Sequence, residues 1–540
     1  MVEYGAHREG VQHAGEVDLG HPRRKAGVDA VDVTAATGSP DAGGRGDAPL
    51  APRHPGSRWV LLPAATLLAI LVATSGRYGF HRDEMYFIVA GSHPAWGYPD
   101  QPPLVPLLCA GLTRLFPGSL IWLRLPGALA SVATVMTAAA VCRELGGTRR
   151  AQVISAWCCA VSLIVVATGH FVTTTTFDVL STTVVCWLVV RAFARHDARW
   201  LAAAGGMTGF AFEAKPQVGL VAAVLTGSMA AVGPRWPLRS AWTALGAVSA
   251  AALAAPYLWW QAAHGWPQVT VAGNIAGSAE LGRAGFAPFQ LVMVGILLVP
   301  VWVAGLVSLL REPALRRFRL LAVAYLALAV LYLLGDGKAY YLASMYPALL
   351  AAGALPVAAW TARGHRFARR WTLATAIAVS AAFNAWVGLP VQPEAGLRSS
   401  VPMALNPDLG ETVGWPSYVD TVQQVWAGMP VDARSRAVVL TSNYGEAAAL
   451  TVLGHFRANQ VYSGHDGFWL WGPPPAGTDA AVLVGNDAAW ASHVFRRCRV
   501  AAVIRNPARV DNDEEGQQVR VCRTLRGSWA QQWPWIRHFD

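Results

Sequence analysis

Residues 79–104 read GFHRDEMYFIVAGSHPAWGYPDQPPL and place Asp83 beside Glu84 directly after a long apolar segment. A carboxylate at the lip of a bilayer can act as a general base toward a hydroxyl brought to the headgroup plane. Adjacent side chains point in different directions, so the two acids are not expected to share one task. Other polar groups fall at the same ends of neighbouring apolar segments. His170 and Asp178 flank FVTTTT, Lys215 follows Glu213 in FEAKPQVG, and Lys338 precedes Tyr340 and Tyr341 in GDGKAYYLASMYP. The chain holds three Lys against forty Arg, and two of the three Lys lie at these positions. An ammonium is a compact point charge suited to a phosphate. The plainer alternatives are solvated loop acids and lysines that snorkel to the interface.

Acids and lysines on one membrane face suit attack by a hydroxyl on the anomeric carbon of a lipid-phosphate sugar. The hydroxyl needs a carboxylate base. The phosphate departs as a stable anion and needs cations rather than a general acid, whereas a glycoside hydrolase generally uses two catalytic carboxylates. Trp96, Tyr98 and Tyr86 are read either as surfaces for a sugar or isoprenoid or as an interfacial aromatic belt.

These residues must be carried by membrane-spanning elements. The 540-residue chain is 54% hydrophobic and 14% charged, against about a quarter charged in soluble domains. Eleven apolar segments are read as spans: 58–76, 119–141, 152–169, 177–194, 199–213, 217–233, 240–260, 287–310, 319–335, 340–360 and 371–390. The fold expected is therefore a polytopic α-helical bundle. The net charge of +11 does not point to nucleic acid, because Arg clusters in alternate short loops (Arg143, Arg149 and Arg150; Arg191, Arg195 and Arg199; Arg363, Arg366, Arg369 and Arg370). By the positive-inside rule those loops are cytoplasmic. The polar, Gly-rich residues 1–57 are expected to be a disordered cytoplasmic tail, residues 58–390 the transmembrane domain, and residues 391–540 an extracytoplasmic α/β domain in which short strand-like runs alternate with helices. Of seven cysteines, Cys498 and Cys522 lie in that last region, where they form either a disulfide or two free thiols.

HRDEMYFIVAGSHPAWGYPDQPPLVPLL resembles the first outer loop of the polyprenyl-phosphate-sugar-dependent transferases with the GT-C fold. GDGKAYYLASMYPALLAAGA and NQVYSGHDGFWLWGPP resemble two further segments of the bacterial family 39-like group, which is similar to protein O-mannosyltransferases and the aminoarabinose transferase acting on lipid A. The resemblance implies an inverting transfer on the outer face of the cytoplasmic membrane, from a polyprenyl-phosphate-linked sugar to a glycan, lipid or protein acceptor of the cell envelope. It implies Asp83 as base or acceptor-orienting residue, Glu84 as a donor contact or support for the site, and Asp178 as a second acid. Lys215, Lys338, Tyr340, Tyr341 and His170 are expected at the donor phosphate, and His81, Trp96, Tyr98 and Asp100 in the substrate loop. Some members use a divalent metal and others do not. His81, His93 and His170 are the candidate ligands, but they lack tight spacing and no cofactor is expected. The α/β tail departs from the eukaryotic protein O-mannosyltransferases, which sets a protein acceptor apart from the other two.

Two other readings stand beside this one. A transporter or flippase of lipid-linked sugars would carry charges deep in its bundle, and these spans hold few ionisable residues. A non-catalytic membrane scaffold would leave Asp83, Asp178, Lys215 and Lys338 scattered.

Overall fold

The computed structural model describes residues 54–277, 282–457 and 459–539, which form one compact unit. The expected tail over 1–57 falls almost wholly outside the described residues. Six helices are long and apolar enough to cross a bilayer: Leu120–Glu144, Thr174–Arg195, Ala241–Ala263, Pro313–Leu334, Ala339–Trp360 and Arg366–Gly388. Two bent pairs bring the number to eight, Arg149–Ala160 with Leu163–His170 (54°) and Gly282–Val294 with Ile296–Arg311 (82°). The two bends correct the expectation of continuous spans over 152–169 and 287–310. The three remaining segments are short helices, Leu61–Thr74, Arg199–Phe212 and Gln217–Val232. At 1.5 Å per residue the last two reach about 21 and 24 Å, short of a core about 30 Å thick.

Burial separates central from peripheral helices. The apolar windows of Ala339–Trp360 and Thr174–Arg195 are 78% and 72% buried, whereas those of Ala241–Ala263 and Arg366–Gly388 are 17% and 22% buried. The large exposed side chains of Ala241–Ala263 are the apolar Trp242, Leu245, Val248, Leu253, Leu258 and Trp259, as a lipid-facing surface requires.

Two further helices occupy the region read as a loop. Arg82–Ser92 starts in a capping box: the His81 side chain accepts from the Asp83 amide, and Glu84 Oε2 accepts from the His81 amide at 2.9 Å. Leu104–Leu115 begins after Pro102 and Pro103, where a helix tolerates proline. The two helices pack so closely at Gly91 that a Cβ there would overlap the Pro106 carbonyl.

The C-terminal region builds one mixed sheet. Its strands are β1 (Ala437–Thr441), β2 (Val461–Ser463), β3 (Ala480–Val484), β4 (Phe495–Val503) and β5 (Gln518–Leu525), in the order β2-β1-β3-β5-β4. β1 pairs parallel with β2 and β3, while β5 pairs antiparallel with β3 and β4. β1 and β3 are buried along their whole length, as their unbroken apolar runs require. Val439 and Val482 face one core together with Met85, Tyr86 and Phe87 of the Arg82–Ser92 helix, while Val438 and Leu483 face another with Trp529 and Trp533. The Arg82–Ser92 helix is thus part of the hydrophobic core of the C-terminal region. Cys498 and Cys522 are opposite each other on β4 and β5 and form a disulfide.

Candidate active site

Asp83 and Glu84 diverge as neighbouring helix residues must. Glu84 turns inward and is fully buried. Arg124 Nε donates to its Oε1 at 2.9 Å and Arg124 Nη2 to its Oε2 at 2.8 Å, while the Val172 amide donates to Oε1 at 3.1 Å. Arg124 also donates to the carbonyls of Ser75 and Gly79, both at 2.7 Å. One guanidinium thereby ties the end of the first apolar helix to the start of the Arg82–Ser92 helix. Glu84 has no open face toward a donor, so of its two expected roles the structure leaves support of the site.

Asp83 turns outward and its side chain is about a third exposed (32%). Tyr444, the first residue of the Tyr444–Val452 helix, donates its hydroxyl to Asp83 Oδ1 at 2.8 Å. Asp83 Oδ2 lies 3.9 Å from His81 Nδ1 and accepts no hydrogen bond among the described residues. Burial works against the charge on Asp83, but His81, Arg82, the Tyr444 hydroxyl and Lys338 outweigh it and hold the carboxyl below the usual carboxylate range.

The cations gather at the same place. Lys338 is exposed, occupies the N-cap position of the Ala339–Met345 3-10 helix, and is close enough to Asp83 and to Lys215 to act on both electrostatically. Lys215 Nζ donates to Thr175 Oγ1 at 2.9 Å and sits 5.5 Å from the ring centroids of Tyr340 and of Tyr341. Asp178 is buried one helical turn after Thr175, near Lys215, Thr182 and Ser344. The hairpin bearing Lys215 is anchored by the Leu104 amide, which donates to the Glu213 carbonyl at 3.0 Å, and by Gln217, which donates to the Tyr341 carbonyl at 2.6 Å. Asp83, Asp178, Lys215, Lys338, Tyr340 and Tyr341 therefore converge, which a scaffold reading does not require.

Several expected substrate contacts are enclosed instead. His81 is 4% exposed, caps its helix and stacks on Phe171 at 4.9 Å. His170 is 2% exposed, with Nε2 3.5 Å from Arg124 Nη1, so it lines the buried ion pair rather than a phosphate site. Tyr98 is 1% exposed and donates to the carbonyl of Ala90 at 2.8 Å, which makes it a core residue. Trp96 is exposed. Asp100 is half-buried and accepts from the Tyr86 hydroxyl at 2.9 Å; burial pushes its carboxyl up to about 7, and Asp83 adds to the shift. His93 stacks on Trp471 at 4.2 Å. The three histidines considered as metal ligands are thus engaged separately, and among the described residues no group of three or more His, Cys, Asp or Glu is arranged to hold an ion.

Two cavities are lined by residues other than those of the cluster. One, of about 800 Å³, is lined by Gly146, Thr148, Arg149, Arg150 and Ala362. The other, of about 400 Å³, is lined by Gly205, Thr208, Gly209, Phe212, Gly219 and Ala250, and so reaches both helices of the Lys215 hairpin.

The sequence profile of a family described as dolichyl-phosphate-mannose-protein mannosyltransferase matches residues 100–260. No curated protein matches the chain by sequence. Among solved structures, ArnT from Cupriavidus metallidurans bound to undecaprenyl phosphate superposes with a TM-score of 0.56 at 15% identity, covering 86% of this chain and 98% of that one. The chain therefore has the GT-C fold. The arabinofuranosyltransferase AftD from Mycobacteria also matches, with a TM-score of 0.52 and 15% identity over 88% of this chain and 40% of that one. The GT-C likeness extends beyond the segment matched by the family profile, which begins after Asp83 and Glu84.

Sequence reasoning passed over Arg124 and Tyr444. Arg124 was detectable as a lone charge inside an apolar run, which by default calls for a partner. Tyr444 has no such signal, because its role exists only once the sheet domain docks on the Arg82–Ser92 helix.

Proposed function

We propose that this GT-C protein is an integral membrane glycosyltransferase that moves a sugar, with inversion, from a polyprenyl-phosphate donor to an acceptor hydroxyl at the outer face of the cytoplasmic membrane. The observation that carries the reading is the convergence of a partly exposed carboxylate, Asp83, with two lysines at the ends of apolar helices. Asp83 Oδ2 takes the proton of the acceptor hydroxyl. The hydroxyl oxygen bonds to the anomeric carbon as the carbon–oxygen bond to phosphate breaks on the opposite side, which inverts the centre. The polyprenyl phosphate leaves with the electron pair, and Lys215 and Lys338 neutralise it. Tyr340 and Tyr341 hold Lys215 by cation–π contact. The apolar cavity lined in part by Phe212 and Gly219 suits part of an isoprenoid chain.

ArnT, the structural neighbour, is recorded bound to undecaprenyl phosphate, which supports a lipid phosphate as donor carrier. The Cys498–Cys522 disulfide supports an oxidising compartment for the sheet domain. The acceptor class proposed is a glycan, lipid or protein of the cell envelope. The test is to incubate the purified chain in lipid nanodiscs with radiolabelled decaprenyl-phosphate sugars. Sugar consumption with release of decaprenyl phosphate supports the proposal. Movement of intact donor between leaflets of proteoliposomes, without cleavage, would instead establish a flippase.

A further inference from the structure

We infer that the C-terminal sheet domain completes the reacting centre, with Tyr444 as the positioning residue that fixes the Asp83 carboxylate. The inference rests on the reading of Asp83 as base.

Tyr444 reaches Asp83 across 361 positions of sequence, with its hydroxyl 2.8 Å from Oδ1. A carboxylate rotates about its last bond over a broad, roughly two-fold profile. A donor fixed on Oδ1 restricts that rotation and leaves Oδ2 for the acceptor proton. Tyr444 is itself held on every side. Its ring lies 4.7 Å from that of Tyr86 and 4.9 Å from that of His465, and its amide donates to His465 Nδ1 at 3.3 Å. The Asn443–Glu446 capping box sets the start of its helix. Tyr86 joins the two regions a second time, since its hydroxyl donates to Asp100 at 2.9 Å and accepts from the Gly467 amide at 3.1 Å.

Arg82 makes the third link. Its guanidinium lies 5.8 Å from the centre of the Tyr444 ring, 2.6 Å from Asp513 Oδ2 and 3.4 Å from Glu411 Oε2. Residues 82, 83 and 86 on one short helix thus each engage the C-terminal region, and the hydrophobic core is continuous between them. A loosely tethered binding module would make none of these contacts with a base.

The charged and titratable groups facing Asp83 are His81 and Arg82 on its own helix, Asp100 beyond that helix, Lys338 and Tyr340 beside the bundle, and Tyr444 from the sheet domain. Among the described residues only Tyr444 hydrogen-bonds its carboxylate side chain, and that bond favours the charged form.

The experiment compares Tyr444→Phe with Asp83→Asn and wild type in the nanodisc transfer assay across pH 4–9. Phenylalanine keeps the ring contacts, so an unchanged thermal midpoint verifies the fold. We expect Tyr444→Phe to lower kcat by roughly tenfold or more, through loss of alignment. Donor KM should stay within about twofold, because the phosphate contacts are untouched. The acidic limb of kcat/KM should move to higher pH. A kcat within about twofold of wild type and an unmoved acidic limb, with Asp83→Asn inactive, would overturn the role of Tyr444 and leave the base intact. Wild-type turnover by Asp83→Asn would overturn both.

Discussion

Arg124 holds both carboxylate oxygens of Glu84, at 2.9 and 2.8 Å, in a pair from which solvent is excluded. Such a fork orients more than it stabilises, because desolvation offsets most of the attraction. Removing one partner strands the other charge. Arg124→Leu is therefore expected to lower stability by about 3–5 kcal/mol, read as a drop in the detergent thermal midpoint. Arg124→Leu with Glu84→Leu should recover part of that loss. No recovery would show that Arg124 acts mainly through the Ser75 and Gly79 carbonyls.

Glu446 offers a pH test of the sheet domain. Burial pushes its carboxyl up to about 7, against hydrogen bonds from Ser442 and Asn443 that pull it down. Nearby Glu514 is also pushed up, first by burial and then by Glu411 and Glu446. A raised folded-state pKa favours the protonated native state, so this stability is fully present below about pH 4.5 and is lost as pH rises through about 7. Unfolding of the sheet domain should need more denaturant at pH 5.5 than at pH 8. Glu446→Gln keeps an acceptor for the capping box and should flatten that dependence. An unchanged slope would assign the dependence to Glu514.

Lys215 is expected to set the alkaline limit of donor capture. Burial lowers its ammonium to about 8, Asp178 opposes the shift and Lys338 adds to it. Above that pH the free chain loses the charge proposed to meet the donor phosphate. Donor kcat/KM should fall above pH 8 while kcat at saturating donor holds, since bound phosphate keeps the lysine protonated. Lys215→Arg should extend the plateau past pH 9, and a matching fall in that variant would locate the titration elsewhere.

The disulfide provides a topology test. Cys109, Cys142, Cys158, Cys159 and Cys186 are buried and free, whereas Cys498 lies at an exposed stretch of β4. A membrane-impermeant maleimide added to intact cells should label the chain only after reduction, at Cys498 or Cys522. Labelling that requires cell lysis would place the sheet domain inside.

The spans were legible because lipid demands long apolar helices and loop arginines mark one face. Each of the eleven segments coincides with helix, but 58–76, 199–213 and 217–233 form only short helices, 152–169 is bent by 54°, and 287–310 hides a sharp bend at Gly295, whose φ of +106° breaks the helix. Four strands were readable from short apolar runs. β5 was missed although QVRVCRTL alternates in period two. The Arg82–Ser92 helix was read as loop because its polar start and aromatic core masked the capping pattern. The convergence of Asp83 with the lysines was inferred from their shared membrane face. The inward turn of Glu84, the burial of Tyr98 and His170, and the arrival of Tyr444 depend on packing between distant segments, which periodicity does not encode.

The central claim is that Asp83 is the base and the lysines meet the phosphate. The direct measurement is single-turnover transfer by Asp83→Asn in nanodiscs saturated with decaprenyl-phosphate sugar, with donor binding measured in the same preparation. Donor affinity should stay within about twofold of wild type, while the transfer rate falls by on the order of a hundredfold or more. Transfer at the wild-type rate would contradict that claim.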